Sequence, residues 1–492
     1  MRPVAQARGT SELLLEVELR RGHMRRSLRE ALRQAIQDGR LAAGTALPSS
    51  RRLAAELGVS RGVVSDTYDQ LVSEGYLRVR ERFAPEVAAV TSTAPAAREP
   101  GPASWRFDLT AVTPDVSLFP RRAWVRAVER ALADAPDAAF DYADHRGRIE
   151  LRAALAGYLA RVRGVRIDPS RIVVTQGFTQ ALDLLCRVLV ATGATTIAME
   201  TPSHPGLWAT ARHSGLEPVG CPVDREGLRT DQLADGADAV VVAPAHQFPT
   251  GAVLAPARRA ALIEWAAARE RLIVEDDYDA EFRYDRTPVG ALQGLDPGRV
   301  AHVGSASKTL APGVRLGWIS APPDLVDALR EHKSAADSGS PAIDQLALAD
   351  LLARGDYERH VVRARHAYRR RRDRLVAALR STLPELEIRG TAAGMGLLLM
   401  LPDGADDVEI ADAASARGIG VSALSLLHLA PSPERGLLIG YGRLPEPSID
   451  KAVATLSAVI ANRSSPPPGP RTRRGPSSGR PPGRRRAGSP RE

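Results

Sequence analysis

The stretch VGSASKTLAPGVRLGW (303–318) decides how this chain is read. It leaves one strand-like run, VAHVGS (300–305), and returns to another, LGWISA (316–321). Between them stands Lys308, with Ser305 before it and Arg315 seven positions after it. An amine, a hydroxyl and a guanidinium beyond a strand end suit a phosphorylated aldehyde: the amine condenses with the carbonyl, and the other two bind the phosphate. Only three of the 67 basic residues are lysines, Lys308, Lys333 and Lys451. Arginine has taken over the surface charge, and arginine cannot form a Schiff base. Taken alone, the stretch also reads as a surface loop with a solvated lysine.

Three further segments fit the same group, pyridoxal 5'-phosphate (PLP). In LIVEDDYDAEFRY (272–284), Asp276 at the end of a buried strand is placed to hold a pyridinium nitrogen protonated, and Tyr278 to bond the ring's phenolic oxygen. Five acids within seven residues (275–281) also admit a divalent metal, but no further ligands accompany them. In VVTQGFTQALDLL (173–185) a strand, a Gly turn and a helix start follow one another, so the N–H groups of Phe178 and Thr179 and the Thr179 hydroxyl make an anion site. In APAHQFPTG (243–251), Gln247 or His246 is placed to reach the ring oxygen, unless Pro249 and Gly251 simply enforce a turn. Lys308 is the candidate catalytic residue and no metal is expected.

Further outward, β-rich runs at 172–175, 195–200, 239–244 and 272–276 alternate with helical runs such as 178–191 and 256–270. That alternation predicts an α/β domain with a mostly parallel sheet over 105–374, followed by a smaller α+β unit over 375–462. Residues 84–104 read as an Ala/Pro linker and 463–492 as a disordered Pro/Gly/Ser/Arg tail. The formal net charge of +9 is uneven. Residues 463–492 hold nine Arg against one Glu, and residues 1–83 hold fifteen Arg against ten acids, which leaves the middle acidic. Basic ends on an acidic body fit a nucleic-acid-binding module joined to a metabolite-binding one. Two cysteines exclude a disulfide framework, and no apolar run has membrane-helix length. With no signal peptide in view, a cytoplasmic protein is expected.

Residues 1–83 read as an all-α, winged helix-turn-helix head. Ser27-Leu-Arg-Glu30 has the form of a capping box, with Leu28, Leu32, Ala35 and Ile36 as the apolar stripe of the first helix. Ser49 or Ser50 caps a second helix, Gly58 turns the chain, and Ser60 caps a third. The third helix then offers Arg61, Gly62 and Ser65 to base edges of double-stranded DNA. Arg51, Arg52, the capping serines Ser49, Ser50 and Ser60, and the helix N-termini suit phosphates. A plain three-helix cap with a basic face is the alternative.

The head resembles the GntR family through Gly39–Leu41, Gly44, Leu47–Arg51, Leu53–Ala54, Leu57–Arg61, Tyr68, Leu71 and Glu74–Leu77. The body resembles fold-type I aminotransferases. The two together resemble the MocR or GabR family of regulators, through LFPRRAW (118–124), TPSHPG (201–206), PAHQFPTG, EDDYDAEFRY, SASKTLAPGVRLG and RHAYRRRRDRL (365–375). The resemblance implies a PLP-dependent transferase fold and a transcription regulator of vitamin B6 or amine metabolism. It also implies a head-to-tail homodimer on paired promoter half-sites, with PLP and a small amine as effectors. A working aminotransferase with a secondary DNA-binding head is the other reading. Three departures bear on this. The wing segment RVRERFAPEV (78–87) has no Gly-x-Gly tip. His204 stands where the family has a Tyr that stacks on PLP. Leu438 stands where aminotransferases carry the Arg that holds a substrate α-carboxylate, with Arg435 and Arg443 near but out of register.

Overall fold

The computed structural model describes residues 23–79, 85–89, 105–142, 144–285, 289–390 and 393–464. The chain divides into two units, Met1–Ala103 and Ser104–Glu492.

In the first unit, α1 (Met24–Gln37), α2 (Ser50–Leu57) and α3 (Arg61–Ser73) precede an antiparallel pair, β1 (Leu77–Arg78) and β2 (Glu86–Val87). Leu28, Leu32, Leu53, Val64, Tyr68 and Leu71 form the core, each contributed at helical spacing. The Ser49 hydroxyl accepts the Arg52 N–H at 3.3 Å and starts α2, and Gly58, at φ +64°, ends it. Two expectations are corrected. Ser27 and Glu30 form no capping box: α1 begins at Met24, and the Ser27 N–H already donates to the His23 carbonyl at 3.0 Å. An N–H paired inside the helix needs no side-chain cap, and Glu30 instead accepts from Arg26 at 2.8 Å. The head also runs past residue 83. Val87 is buried in its core, and its carbonyl accepts the Gly44 N–H at 2.8 Å. The wing tip (80–84), residues 90–104 of the expected linker and residues 465–492 of the expected tail lie outside the described residues.

The second unit opens with β3 (Phe107–Asp108), α4 (Arg121–Asp134) and α5 (Ile149–Arg163). A run of strands and helices follows: β4 (Ile172–Thr175), α6 (Phe178–Ala191), β5 (Thr196–Thr201), α7 (Pro205–His213), β6 (Glu217–Asp224), β7 (Gly227–Leu228), β8 (Ala239–Val242), α8 (Pro256–Arg269), β9 (Leu272–Asp277), β10 (Val300–Ser305) and β11 (Gly317–Ser320). These strands make one sheet in the order β4-β11-β10-β9-β8-β5-β6-β7. Strands β10, β9, β8, β5 and β6 are mutually parallel, while β11 is antiparallel to both its neighbours. Strands β4, β8 and β10 are buried at every residue, which is why they read as unbroken apolar runs. Ligands bind beyond the carboxyl ends of such strands. Here those ends carry Glu200–His204, Ala243–Gly251, Asp276–Asp279 and Ser305–Lys308.

The chain continues through α9 (Val326–Asp337), α10 (Ala342–Ala353) and the long α11 (Asp356–Thr382). It then forms β12 (Ile388–Arg389), β13 (Gly396–Met400), α12 (Asp407–Ser415), β14 (Ile419–Gly420), β15 (Ser422–Ala423), β16 (Gly436–Gly440) and α13 (Ile449–Ser464). Strands β12-β13-β16-β15 form an antiparallel sheet, and β14 pairs in parallel with β3. Leu397, Leu437 and Leu456 share a core with Phe107 and Leu109. A cut at 374/375 would pass through α11, and the segment that enters this unit from the N-terminal side is built into the smaller sheet's core. Among the described residues, no helix is long and apolar enough to cross a membrane.

Candidate functional site

A cavity of about 400 Å³ opens at the carboxyl edge of the large sheet, within the usual range for cofactor sites. Lys308, Ser305 and Arg315 enter it from the β10–β11 connection, Asp276 and Tyr278 from the end of β9, Phe178 and Thr179 from the start of α6, and His204 from the start of α7. Four separate stretches of sequence thus converge on one space.

The side of the cavity at the start of α6 is shaped by glycine. Gly177, at φ +94°, precedes α6, and a Cβ on it would lie 3.2 Å from the Arg315 guanidinium. A side chain there would crowd the arginine away from the helix start. The first N–H groups of α6 have no partner within the helix, so the helix dipole, Arg315 and the Ser305 hydroxyl favour a dianion together.

The side of the cavity at the end of β9 is shaped by charge. Asp276 is enclosed, and its Oδ1 has no hydrogen-bond partner among the described residues. Burial, with Asp277, Glu200 and Asp279 nearby, pushes its pKa well above the usual carboxylate range, and Lys308 opposes the shift. An unpartnered buried carboxyl oxygen needs a donor, and a protonated ring nitrogen is one. Burial lowers the Lys308 pKa against the pull of Asp279 and Asp276, which raises the fraction of neutral, nucleophilic amine. Its Nζ donates to the Val112 carbonyl at 2.6 Å. These residues fit PLP: an amine, an anion cradle and an orphaned carboxyl line one cavity.

The remaining acids of 275–281 do not converge on a metal. Glu275 accepts the Leu292 and Gln293 N–H groups at 2.7 and 2.9 Å. Asp277 is held by Arg163 at 2.7 Å and His302 at 2.8 Å, whose charges outweigh burial and keep it well below its usual range. Asp279 faces His246, and Glu281 accepts from Tyr158 at 3.3 Å.

One expected contact is corrected. Gln247 does not face the cavity: its amide donates to the Pro202 and Phe248 carbonyls at 2.7 and 2.6 Å, and its oxygen accepts from Thr250. The side chain next to it, Phe248, lines the cavity instead. Its ring lies 6.1 Å from that of His204. His204 also caps the start of α7, its Nδ1 accepting the Gly206 N–H at 3.0 Å. The stretch 111–113 lines the cavity too and carries no sequence signal of its own.

On the head, Ser49, Arg51, Ser60, Arg61 and Gly62 are exposed, and Ser50 and Ser65 are partly buried. Arg61 Nε lies 3.5 Å from Ser50 Oγ, which brings the starts of α2 and α3 onto one face. A Cβ on Gly62 would meet only Ser60 Oγ, at 4.0 Å, so this face is open.

Comparison with known proteins bears on both units. Residues 113–453 match the family Aminotransferase class I and II, and residues 24–87 match Bacterial regulatory proteins, gntR family. The probable rhizopine catabolism regulatory protein MocR of Rhizobium meliloti is 33% identical over 90% of this chain and 95% of its own. The chain belongs to the MocR family of transcription regulators. The pyridoxine biosynthesis regulator PdxR of Corynebacterium glutamicum is 32% identical over 88% of this chain and 95% of its own. An archaeal alanine:glyoxylate aminotransferase superposes with a TM-score of 0.68 at 30% identity, covering 73% of this chain and 91% of that one. The regulator therefore joins a DNA-binding gntR head to an aminotransferase fold, whose cofactor is pyridoxal phosphate.

Within the regulator, Leu438 is buried in β16 opposite Leu398 and Ser422. Arg435 bonds the Ser432 and Glu434 carbonyls of its own loop, and Arg443 is held by Asp108 at 3.2 Å. Among the described residues that line the cavity, Arg315 is the one guanidinium.

Proposed function

We propose that this regulator senses PLP, or an amine presented to PLP, through Lys308, and that the head reports the event by changed affinity for promoter DNA. PLP supplies an aldehyde for an amine and an electron-withdrawing ring. The chain's part is to hold it: Lys308 at the aldehyde, Ser305, Arg315, Phe178 and Thr179 at the phosphate, Asp276 at the ring nitrogen, Tyr278 at the ring oxygen, and His204 with Phe248 along the ring. The single observation that carries this reading is the convergence of Lys308, Arg315 and the unpartnered Asp276 Oδ1 on one cavity.

A sensing role is favoured over transamination because orienting an α-amino acid takes a bidentate clamp on its carboxylate. Arg315 is committed to the phosphate end, and Leu438 offers no charge. Ser49, Ser50, Arg51 and Ser60 would engage phosphates, and Arg61, Gly62 and Ser65 base edges. The working form is a homodimer on paired half-sites. Exposed apolar side chains at Val125, Leu132, Phe140, Tyr142 and Ile149 supply a surface for the second copy. Vitamin B6 synthesis is the pathway that suits a site built for the cofactor rather than for an amino acid. The test is binding to the promoter region beside its own gene, with and without PLP, for the native chain and Lys308→Ala. A PLP-dependent change in affinity that Lys308→Ala abolishes is expected. Identical binding in all four conditions sinks the sensing role.

A further inference from the structure

Behind Tyr278 lies a buried pair of side chains that PLP binding, as described so far, does not use. His246 Nδ1 is 3.0 Å from the Tyr278 hydroxyl and 3.0 and 3.1 Å from the two oxygens of Asp279. The side chains of His246 and Asp279 are 9% and 2% exposed, so water does not compete for these bonds. His246 Nε2 is buried without a partner among the described residues. A Cβ on Gly394 would lie 2.2 Å from His246 Cε1 and 2.8 Å from Asp279 Oδ2. Only glycine, at φ +80°, lets the backbone approach that closely. The turn at Gly394 thus presses the imidazole against its partners.

The geometry decides where the hydrogens lie. A carboxylate only accepts, so the nitrogen facing both Asp279 oxygens must carry a hydrogen. Were Nδ1 bare, its lone pair would face two carboxylate oxygens at hydrogen-bond distance, which is repulsive. With Nδ1 protonated, Tyr278 oxygen receives a share of that N–H and cannot donate back to it. Its own O–H must then point elsewhere, and the open direction is the cavity that Tyr278 lines. Burial, with Asp279, Asp276 and Glu200 nearby, keeps the phenol protonated far above neutral pH, so the hydrogen is there to be donated.

We propose that His246 and Asp279 are positioning residues that fix Tyr278 as an obligate hydrogen-bond donor to the ring oxygen of PLP. This rests on the assignment of PLP to this cavity. The charged groups around Tyr278 are Asp279, Asp276 and Glu200, and those around Lys308 are Asp279, Asp276 and Arg443. A donor on the ring oxygen stabilises its ionised form and lowers the pH at which the chromophore formed with Lys308 loses its shared proton. Releasing the donor raises that pH.

The experiment is a pH titration of the visible absorbance of the full chain loaded with PLP. Tyr278→Phe is expected to raise the midpoint by about one unit, a tenfold change in the proton equilibrium. His246→Ala is expected to raise it in the same direction by at least about threefold. The double variant Tyr278→Phe/His246→Ala should go no further than Tyr278→Phe alone, because both remove one donor. His246→Asn puts an amide N–H in place of Nδ1–H and should restore the native midpoint. An unmoved midpoint in His246→Ala, or a double variant equal to the sum of the singles, overturns the relay. If His246→Ala does not fold, Asp279→Leu decides in its place, since it nearly keeps the shape and removes both acceptor oxygens that orient Nδ1–H; an unmoved midpoint there overturns the relay equally. A native chain that stays colourless with PLP overturns the cavity assignment itself and the relay with it.

Discussion

Glu200 lies in β5, one residue before its end, with one carboxylate oxygen accepting the Ala243 N–H at 3.1 Å. Burial pushes its pKa up to about 8, against bonds from Ala243 and Gln247 that pull it down. Unfolded, the same group titrates at about 4.3. Its folded form therefore binds the extra proton, and the stability it contributes is full below about pH 4 and lost as pH rises through about 8. Glu200→Gln should remove this dependence and gain on the native chain by about 2–4 kcal/mol between pH 5 and pH 9. Urea melts at the two pH values, without added PLP, measure it; a pH-independent difference contradicts the shift. Val112 poses a second test at this scale. It is β-branched yet sits at φ +56°, a conformation that costs a residue with a Cβ about 1–2 kcal/mol. Val112→Gly is expected to hold or raise the urea midpoint, and a loss above about 1 kcal/mol would show that no strain is stored there.

At the scale of elements, the roles proposed for the starts of α2 and α3 in DNA recognition are separable by salt. With Arg51 on a phosphate, as proposed, Arg51→Ala should weaken binding to all sequences alike and reduce the slope of log affinity against log salt by about one. Arg61, the first residue of α3, is proposed to reach base edges. Arg61→Ala should cost about 1–3 kcal/mol on the promoter and far less on unrelated DNA. Equal losses for both variants on both probes would refute this division. Elements were also the most legible level of the sequence. Strands 172–175 and 300–305 and helix 178–191 fall where the pattern puts them, because burial on both faces and Gly177 are local signals. The start of α1 was not legible. Ser27-Leu-Arg-Glu30 has the letters of a cap, but helix formation had already begun at Met24.

For the whole molecule, the second copy is the open dimension. Phe140 and Tyr142 are 50% and 92% exposed, an unusual placement for large aromatic side chains in an isolated body. Sedimentation of the native chain should give a dimer, and Phe140→Asp with Tyr142→Asp should shift it towards monomer and weaken promoter binding. A native chain that sediments as a monomer at all concentrations removes the paired half-site reading. The lysines illustrate how far position alone carries an argument. Lys308 and Lys333 are both rare and both enclosed, yet Lys333 is spent on Asp337 at 2.7 Å within one helix. Lys308 stands at a sheet edge where Asp276 and Arg315 meet it.

The sequence by itself determined the two-unit plan, the strand and helix order and the groups that suit PLP, because these depend on local pattern and on motifs a few residues long. Leu438, where the resemblance places an arginine, is likewise a matter of one letter in one strand. Only the tertiary structure decided which neighbour in Gln247-Phe248 faces the cavity. The loop after β8 has no period, and the choice is set by the Pro202 carbonyl, far away in sequence, which takes the Gln247 amide. Only the tertiary structure brought His246, Asp279 and Gly394 together behind Tyr278. Those contacts join β8, β9 and the smaller sheet, and no short-range pattern encodes a hydrogen bond between separate layers of a fold.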